Sequence, residues 1–475
     1  MNAWIGLGTR FLPFADAATP DLPLSRLLRL ALFQVSVGMA LVLLVGTLNR
    51  VMIVELDVPA SLVGIMISLP LLFAPFRALI GFRSDTHRSA LGWRRTPYIY
   101  RGTMAQFGGL AIMPFAVLVL ARAGAAAHAP VWVGLAAAAL AFLLVGAGLH
   151  TIQTAGLALA TDLARTETQP KVVGLMYVML ALGMIVSALI FGALLSDFTP
   201  GRLVQVIQGA AVVTVILNGT ALWKQEPRRS AAELDALPAA VGFREAWMAF
   251  AKGGSVLRRL AIVGVGTMAF SMEDVLLEPY GGQILHLPVA DTTKLTATFA
   301  IGGLAGFALA SRVLGRGFDP FRMATIGAAV GIPAFLCVIA ASPAASAPLF
   351  ALGTLFIGFG GGLFSHGTLT ATMNQSPDHQ RGLALGAWGA VQASAAGIAV
   401  ALGGVIRDGL VQSGVRPNAA YDSVYGLEIL LLAGTLVFAV PLVRPGHRRP
   451  TARRMEPTQQ IDFPMNPNTK TGTHD

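Results

Sequence analysis

The chain of 475 residues contains a single cysteine, Cys337, so no internal disulfide can form and dithiol redox chemistry is not expected. Charge is scarce, at 12% of residues against about 25% in an ordinary soluble domain. Acidic residues are the scarcer sign, 24 against 34 Lys and Arg. The sequence lacks zinc-site spacing, a phosphate-binding glycine loop and a nucleophile motif, so neither an enzyme nor a metal site is expected. It also lacks the period-two alternation of membrane β-barrel strands. Residues 1–26 carry prolines and charges but no cleavable apolar core, so no signal peptide is expected.

What fills the chain instead is apolar. Hydrophobic residues make up 55%, and the mean hydropathy is +0.67. A soluble interior could not hold that much apolar surface, so the chain is expected to bury it in lipid. A spanning helix needs about 20 apolar residues. Twelve runs qualify, near 27–50, 59–80, 98–121, 131–161, 171–197, 202–223, 256–280, 293–314, 322–342, 348–375, 381–406 and 424–444. The 53 glycines suit close helix packing in a bilayer.

The net charge of +10 raises the possibility of nucleic-acid binding, but its distribution argues against that partner. Six of the 34 basic residues (Arg50, Arg122, Arg202, Lys294, Arg407, Arg416) fall in or beside alternate loops, and Arg77 falls inside a span. The remaining 27 lie at the N-terminus, in the other loops and in the tail. That is the positive-inside pattern of an even number of spans with both termini cytoplasmic.

The sequence also repeats. "SRLLRLALFQV" (25–35) matches "SVLRRLAIVGV" (255–265), and "VGAGLHTIQTAGLALATD" (145–162) matches "IGFGGGLFSHGTLTATMN" (357–374). Parallel six-helix repeats imply an all-α integral membrane protein with the major facilitator fold, its twelve helices in two pseudo-symmetric halves. The expected organisation is a cytoplasmic N-terminus (1–26), a six-helix half (27–223), a linker (224–255), a second half (256–444) and a basic disordered tail (445–475). Within the linker, "GFREAWMAFAK" (242–252) has the pattern of a short helix in the headgroup region. "GFGGGL" (358–363) is expected to serve helix packing.

The loop after the second span resembles the facilitator loop motif, with Arg77, Gly81, Arg83, Asp85, Gly92, Arg94 and Arg95. Asp85 is expected to bond arginines or a helix N-terminus of the other half and so close the cytoplasmic side. A remnant recurs as Gly315, Asp319 and Arg322. Inside the spans, ionisable residues are costly and mark function. In "FSMEDVLLEPYGGQIL" (270–285), Asp274 and Glu278 are four residues apart and share a helix face, while Glu273 points elsewhere. Pro279 is expected to end or kink that helix. At the repeat offset of 230, Arg50 falls level with Glu278, so Arg50 is expected to pair with Asp274 or Glu278 as a latch between the halves. His150 and His366 occupy near-symmetric positions and are candidates to ligate a metal-centred macrocycle, the bland alternative being core histidines. Asp162 and Asn374 also correspond and are expected to cap or brace.

The passages 77–103 and 273–285, with the glycine-rich tenth span, resemble the PucC/LhaA family of purple phototrophic bacteria, the bacteriochlorophyll-delivery branch of the major facilitator superfamily. The resemblance implies a factor for assembling light-harvesting complexes in the bacterial inner (intracytoplasmic) membrane. Its cargo would be bacteriochlorophyll a. Its partners would be LH1 or LH2 α and β polypeptides, with a lean towards LH1, the reaction centre, bacteriochlorophyll synthase and membrane lipids. Two other readings compete: a proton-coupled small-solute transporter, and a pigment-free scaffold for antenna helices.

Overall fold

A computed structural model describes residues 18–72, 80, 83–84, 92–165, 168–227, 256–314, 316–375 and 381–439. Most of the linker, the tail, and Arg77, Gly81, Asp85 and Gly315 lie outside these. The described chain is built from helices, because a backbone surrounded by lipid must satisfy its polar groups within its own segment.

Among the described residues twelve helices follow in order: α1 (Leu24–Glu55), α2 (Ala60–Leu72), α3 (Thr96–Leu120), α4 (Val131–Leu163), α5 (Gln169–Leu194), α6 (Pro200–Leu222), α7 (Val256–Gln283), α8 (Val289–Leu314), α9 (Pro320–Ala341), α10 (Ala347–Gln375), α11 (Arg381–Gln412) and α12 (Pro417–Ala439). Eleven of these are long and apolar enough to cross a membrane, and α2 is a shorter apolar helix. Large apolar side chains stand on the exterior, including Trp132, Ile216, Leu430 and Val437. In water such a surface would aggregate, whereas lipid covers it without cost.

The two halves have the same internal packing. α1 lies against α5 and α6, α3 against α4 and α6, and α2 against α4. Their counterparts repeat this: α7 against α11 and α12, α9 against α10 and α12, and α8 against α10. The halves meet along two symmetry-related seams, α2 with α11 and α5 with α8. Small residues make these approaches possible. A Cβ on Gly404 would lie 2.4 Å from the Ala60 carbonyl oxygen across the α2–α11 seam. Within "GFGGGL", a Cβ on Gly358 would lie 2.1 Å from the Phe299 carbonyl oxygen of α8.

Local chemistry sets several helix starts. Thr199 accepts from Arg202 N–H before Pro200, and Asp319 accepts from Arg322 N–H at 2.8 Å before Pro320. The second-half motif remnant is thus an N-cap for α9, with proline placed where its missing N–H is not needed.

α1 and α7, the first helix of each half, depart from regular helix. α1 passes into π-helical turns at Val42–Leu48 and Val51–Glu55. α7 breaks after Met268, makes a short 3₁₀ turn at Glu273–Val275 and restarts at Leu277–Gln283. The break lies before Pro279 rather than at it. Proline at 279 cannot donate back to the Val275 carbonyl, so the helix cannot run through 275–279, yet proline is well tolerated in the restarted first turn. Gly281 and Gly282 continue the helix and are buried.

Candidate functional site

The α7 break sends its three acidic residues in different directions. Glu273 N–H donates to Glu428 Oε1 of α12 at 2.8 Å. The Asp274 carbonyl accepts from Asn49 Nδ2 of α1 at 3.2 Å. Glu278 Oε1 accepts from Thr296 Oγ1 of α8 at 2.8 Å. Because the helix is interrupted between 275 and 277, the expected shared face of Asp274 and Glu278 does not arise. Glu273 and Glu278 are buried, and Asp274 is half-buried.

Arg50 does not pair with Asp274 or Glu278. Its guanidinium forms an ion pair with Glu55 of its own helix, and Nη2 donates to the Leu287 carbonyl at 3.0 Å. In a regular helix, residues five apart diverge by about 140° and cannot meet. The π-helical turn, seen in the Leu56 N–H bond to the Val51 carbonyl, brings residue five back over residue zero. Arg50 does lie at the expected depth, against Gly282, where a Cβ would sit 3.1 Å from Nε. Its link to the second half is the Leu287 carbonyl.

A second cluster closes the same end of the bundle, the end away from where α6 finishes and α7 begins. Ser61 N–H, in the first turn of α2, donates to Asp408 Oδ2 of α11 at 2.7 Å. Asp408 pairs with Arg407 at 2.8 Å, and Arg407 Nη2 donates to Gln283 Oε1 at 2.6 Å. Tyr421 O–H donates to the same oxygen at 2.8 Å, and Arg407 lies over the Tyr421 ring. A carboxylate of one half therefore holds the N-terminus of a helix from the other, where the helix dipole favours negative charge.

At the opposite end the loop motif braces its own half. Arg94 Nη2 and Arg95 Nε donate to Asp162 Oδ2 at 2.7 and 3.1 Å, and Arg95 Nη1 donates to Ser84 Oγ at 2.6 Å. Glu226 accepts the backbone N–H groups of Arg94, Arg95 and Thr96, capping α3. The described partners of both arginines thus belong to the first half, not to the neighbouring one as expected. Gly92 has φ of 74°, a conformation that favours glycine. Arg83 is exposed. Arg77, Gly81 and Asp85 lie outside the described residues.

His150 and His366 are half-buried on α4 and α10. The His366 ring packs edge-on against Phe307 of α8 with centroids 4.2 Å apart, and Phe307 in turn lies 6.1 Å from Tyr177 of α5. His366 therefore sits beside the α5–α8 seam. Its Nδ1 is buried without a hydrogen-bond partner.

Two cavities accompany these groups. One of about 230 Å³ lies in the second half, lined by Thr267, Phe270, Phe299, Phe364 and Gln392. A larger one of about 600 Å³ lies between α1, α5 and α6, lined by Met39, Ile190, Phe191, Arg202, Gln205 and Val213. Ile190 and Val213 are exposed on the outer surface, so this groove opens sideways towards lipid.

Glu428, Glu55 and Asp408 were not singled out from sequence. Glu428 had a signal, since "YGLEILLL" places a lone carboxylate in an apolar span. Glu55 had none, because its role depends on the π-helical turn. Asp408 lies beside a basic residue near a helix end, which reads as ordinary loop charge.

Comparisons with known proteins agree with this architecture. The family model described as PUCC protein matches residues 47–447. A protein named PucC from Rhodovulum sulfidophilum is 64% identical over 413 residues, covering 86% of this chain and 90% of that one. PucC of Cereibacter sphaeroides is 60% identical over 444 residues, covering 93% and 96%. A Rhodobacter capsulatus protein named bacteriochlorophyll synthase 44.5 kDa chain is 26% identical over 440 residues, covering 90% and 97%. Among solved structures, a mutant form of the nucleoside transporter NupG aligns with a TM-score of 0.66 at 15% identity, covering 88% of this chain and all of that one. A bacterial homologue of the lysosomal transporter Spinster aligns with a TM-score of 0.61 at 15% identity, covering 88% and 94%. These structural likenesses establish the transporter-like major facilitator fold, and the sequence matches establish the lineage: the chain belongs to the PucC family.

Proposed function

We propose that this protein is an assembly factor for photosynthetic light-harvesting complexes that takes bacteriochlorophyll from the membrane and delivers it to antenna polypeptides. The observation that carries this reading is the identity of 60–64% to proteins named PucC, joined by full-length similarity to a protein whose name refers to bacteriochlorophyll synthase. The α and β polypeptides of LH1 or LH2 are the clients, and the reaction centre and bacteriochlorophyll synthase are further partners. Both termini face the cytoplasm, as the basic loops direct.

Physical features support the reading. A pigment with a flat metal-centred ring and a long apolar tail needs an apolar path that is reached from lipid. The groove between α1, α5 and α6 opens in that direction. His366 offers an imidazole whose Nδ1 has no partner, beside an aromatic ring. A neutral imidazole is a usual axial ligand for a metal-centred macrocycle.

The test is absorbance of the full chain purified from pigment-producing membranes. Pigment at stoichiometric level, reduced at least tenfold in His366→Phe, is the expected result. A pigment-free protein would overturn delivery, and antenna subunits captured without pigment would instead favour the scaffold. Solute uptake dissipated by an uncoupler would favour the transporter reading. A deletion strain that loses one antenna complex while the other persists identifies the client.

A further inference from the structure

The break in α7 faces α12, and it brings two carboxyl groups together inside the second half. Glu273 is 1% exposed and Glu428 is 0% exposed, so protein alone encloses them, independent of lipid. Glu428 Oε1 accepts the Glu273 N–H. Both side-chain oxygens of Glu273 and Oε2 of Glu428 are buried with no donor. The two side chains nevertheless lie within hydrogen-bonding reach of each other. Acceptor faces acceptor.

The surroundings offer no compensating cation. On α7 the neighbours are Asp274, Glu278 and Tyr280, of which Glu278 is bonded to Thr296 and Tyr280 O–H donates to the Val338 carbonyl. On α12 they are Tyr421, Asp422 and Tyr425. Arg407 of α11 is committed to Asp408 and Gln283, and Arg50 of α1 to Glu55 and Leu287. Among the described residues no Arg, Lys or His pairs with Glu273 or Glu428. The Tyr425 hydroxyl, fully buried and itself without a partner, is one turn from Glu428 and in electrostatic range of both glutamates.

Two adjacent carboxylates in such a space would repel each other with neither solvated nor bonded. One proton removes the conflict: it halves the charge and converts the contact into an O–H···O⁻ bond, among the strongest hydrogen bonds available to a protein. We propose that Glu273 and Glu428 together bind one proton, so that the contact between the α7 break and α12 is a proton-binding site. The site is independent of pigment handling. It adjoins the Asn49 contact to the Asp274 carbonyl, so loss of the proton drives α7 and α12 apart next to a hydrogen bond that joins the two halves.

Infrared spectroscopy of the full chain in lipid nanodiscs tests this. At neutral pH the wild type is expected to show a carboxylic-acid C=O stretch equivalent to one group per chain, shifting in D₂O. The band is expected to vanish in Glu273→Gln and in Glu428→Gln, where the new amide N–H donates to the remaining carboxylate and keeps the fold. It should persist in Asp274→Asn and Glu278→Gln. Absence of the band in the wild type, its survival in both glutamine variants, or its loss in either control would overturn the proposal. Should the glutamine variants not fold, alkaline titration of the wild type decides: the acid band must give way to carboxylate bands, one group per chain, with the controls behaving alike.

Discussion

Replacing Asp408 by alanine should open the end of the bundle that Asp408 now seals. The carboxylate is 8% exposed and does two things: it accepts Ser61 N–H at 2.7 Å across the α2–α11 seam, and it neutralises Arg407. Loss of a side chain that caps a helix start costs about 1 kcal/mol, and a hydrogen bond to a charged group about 1.5–3 kcal/mol. Breaking a buried ion pair costs up to about 5 kcal/mol when the remaining charge has no other partner. Arg407 keeps Gln283 and the Tyr421 ring, so the lower part of that range applies. A loss of about 3 kcal/mol from the closed seam raises the ratio of open to closed molecules by a factor of about 150, at 1.36 kcal/mol per factor of ten. Asp408→Asn retains an acceptor for Ser61 and loses only the charge, so it should cost about 1 kcal/mol, or roughly fivefold. The assay is electron-spin distance measurement between labels at the start of α2 and the end of α11, in a background with Cys337 replaced. Expected is a longer-distance population that is large in the alanine variant and small in the asparagine variant. Unchanged distances in both, or equal effects in the two, would refute the argument that the Asp408–Ser61 contact holds the seam.

Two further substitutions probe the same end. Charge reversal in Arg50→Glu should destabilise the protein, and Glu55→Arg added to it should restore part of the loss while Asp274→Arg restores none; thermal unfolding of the purified variants would show this, and rescue by Asp274→Arg would contradict the observed pairing. Gly404→Leu should reduce stability by about 1–3 kcal/mol, since even its Cβ would meet the Ala60 carbonyl at 2.4 Å, and a normal melting temperature in that variant would show that the seam can shift.

Much of the architecture was legible because lipid imposes simple rules. Apolar length marked the spans, internal repetition marked the two halves, and the glycines of "GFGGGL" marked close packing, all of which depend on local composition. The loop motif was legible as a motif, but its direction was not. Arg94 and Arg95 bond Asp162 and Glu226, residues more than sixty positions away, and sequence spacing says nothing about which long-range carboxylate reaches them. The α7 carboxylates were legible as unusual, since charge in an apolar span is expensive. Their partners were not, because the helix-face argument assumed an unbroken helix.

Sequence alone therefore determined that this is a bundle of membrane helices built as a duplicated unit, and which rare ionisable groups lie inside it, because partition between water and lipid acts residue by residue. Tertiary structure alone decided how those groups pair. The π-helical end of α1 turned Arg50 towards Glu55, the interruption of α7 delivered Glu273 to Glu428, and the α2–α11 seam placed Asp408 at a helix start of the other half. Such pairings depend on ångström-scale placement of segments hundreds of residues apart, which periodicity along one chain does not encode.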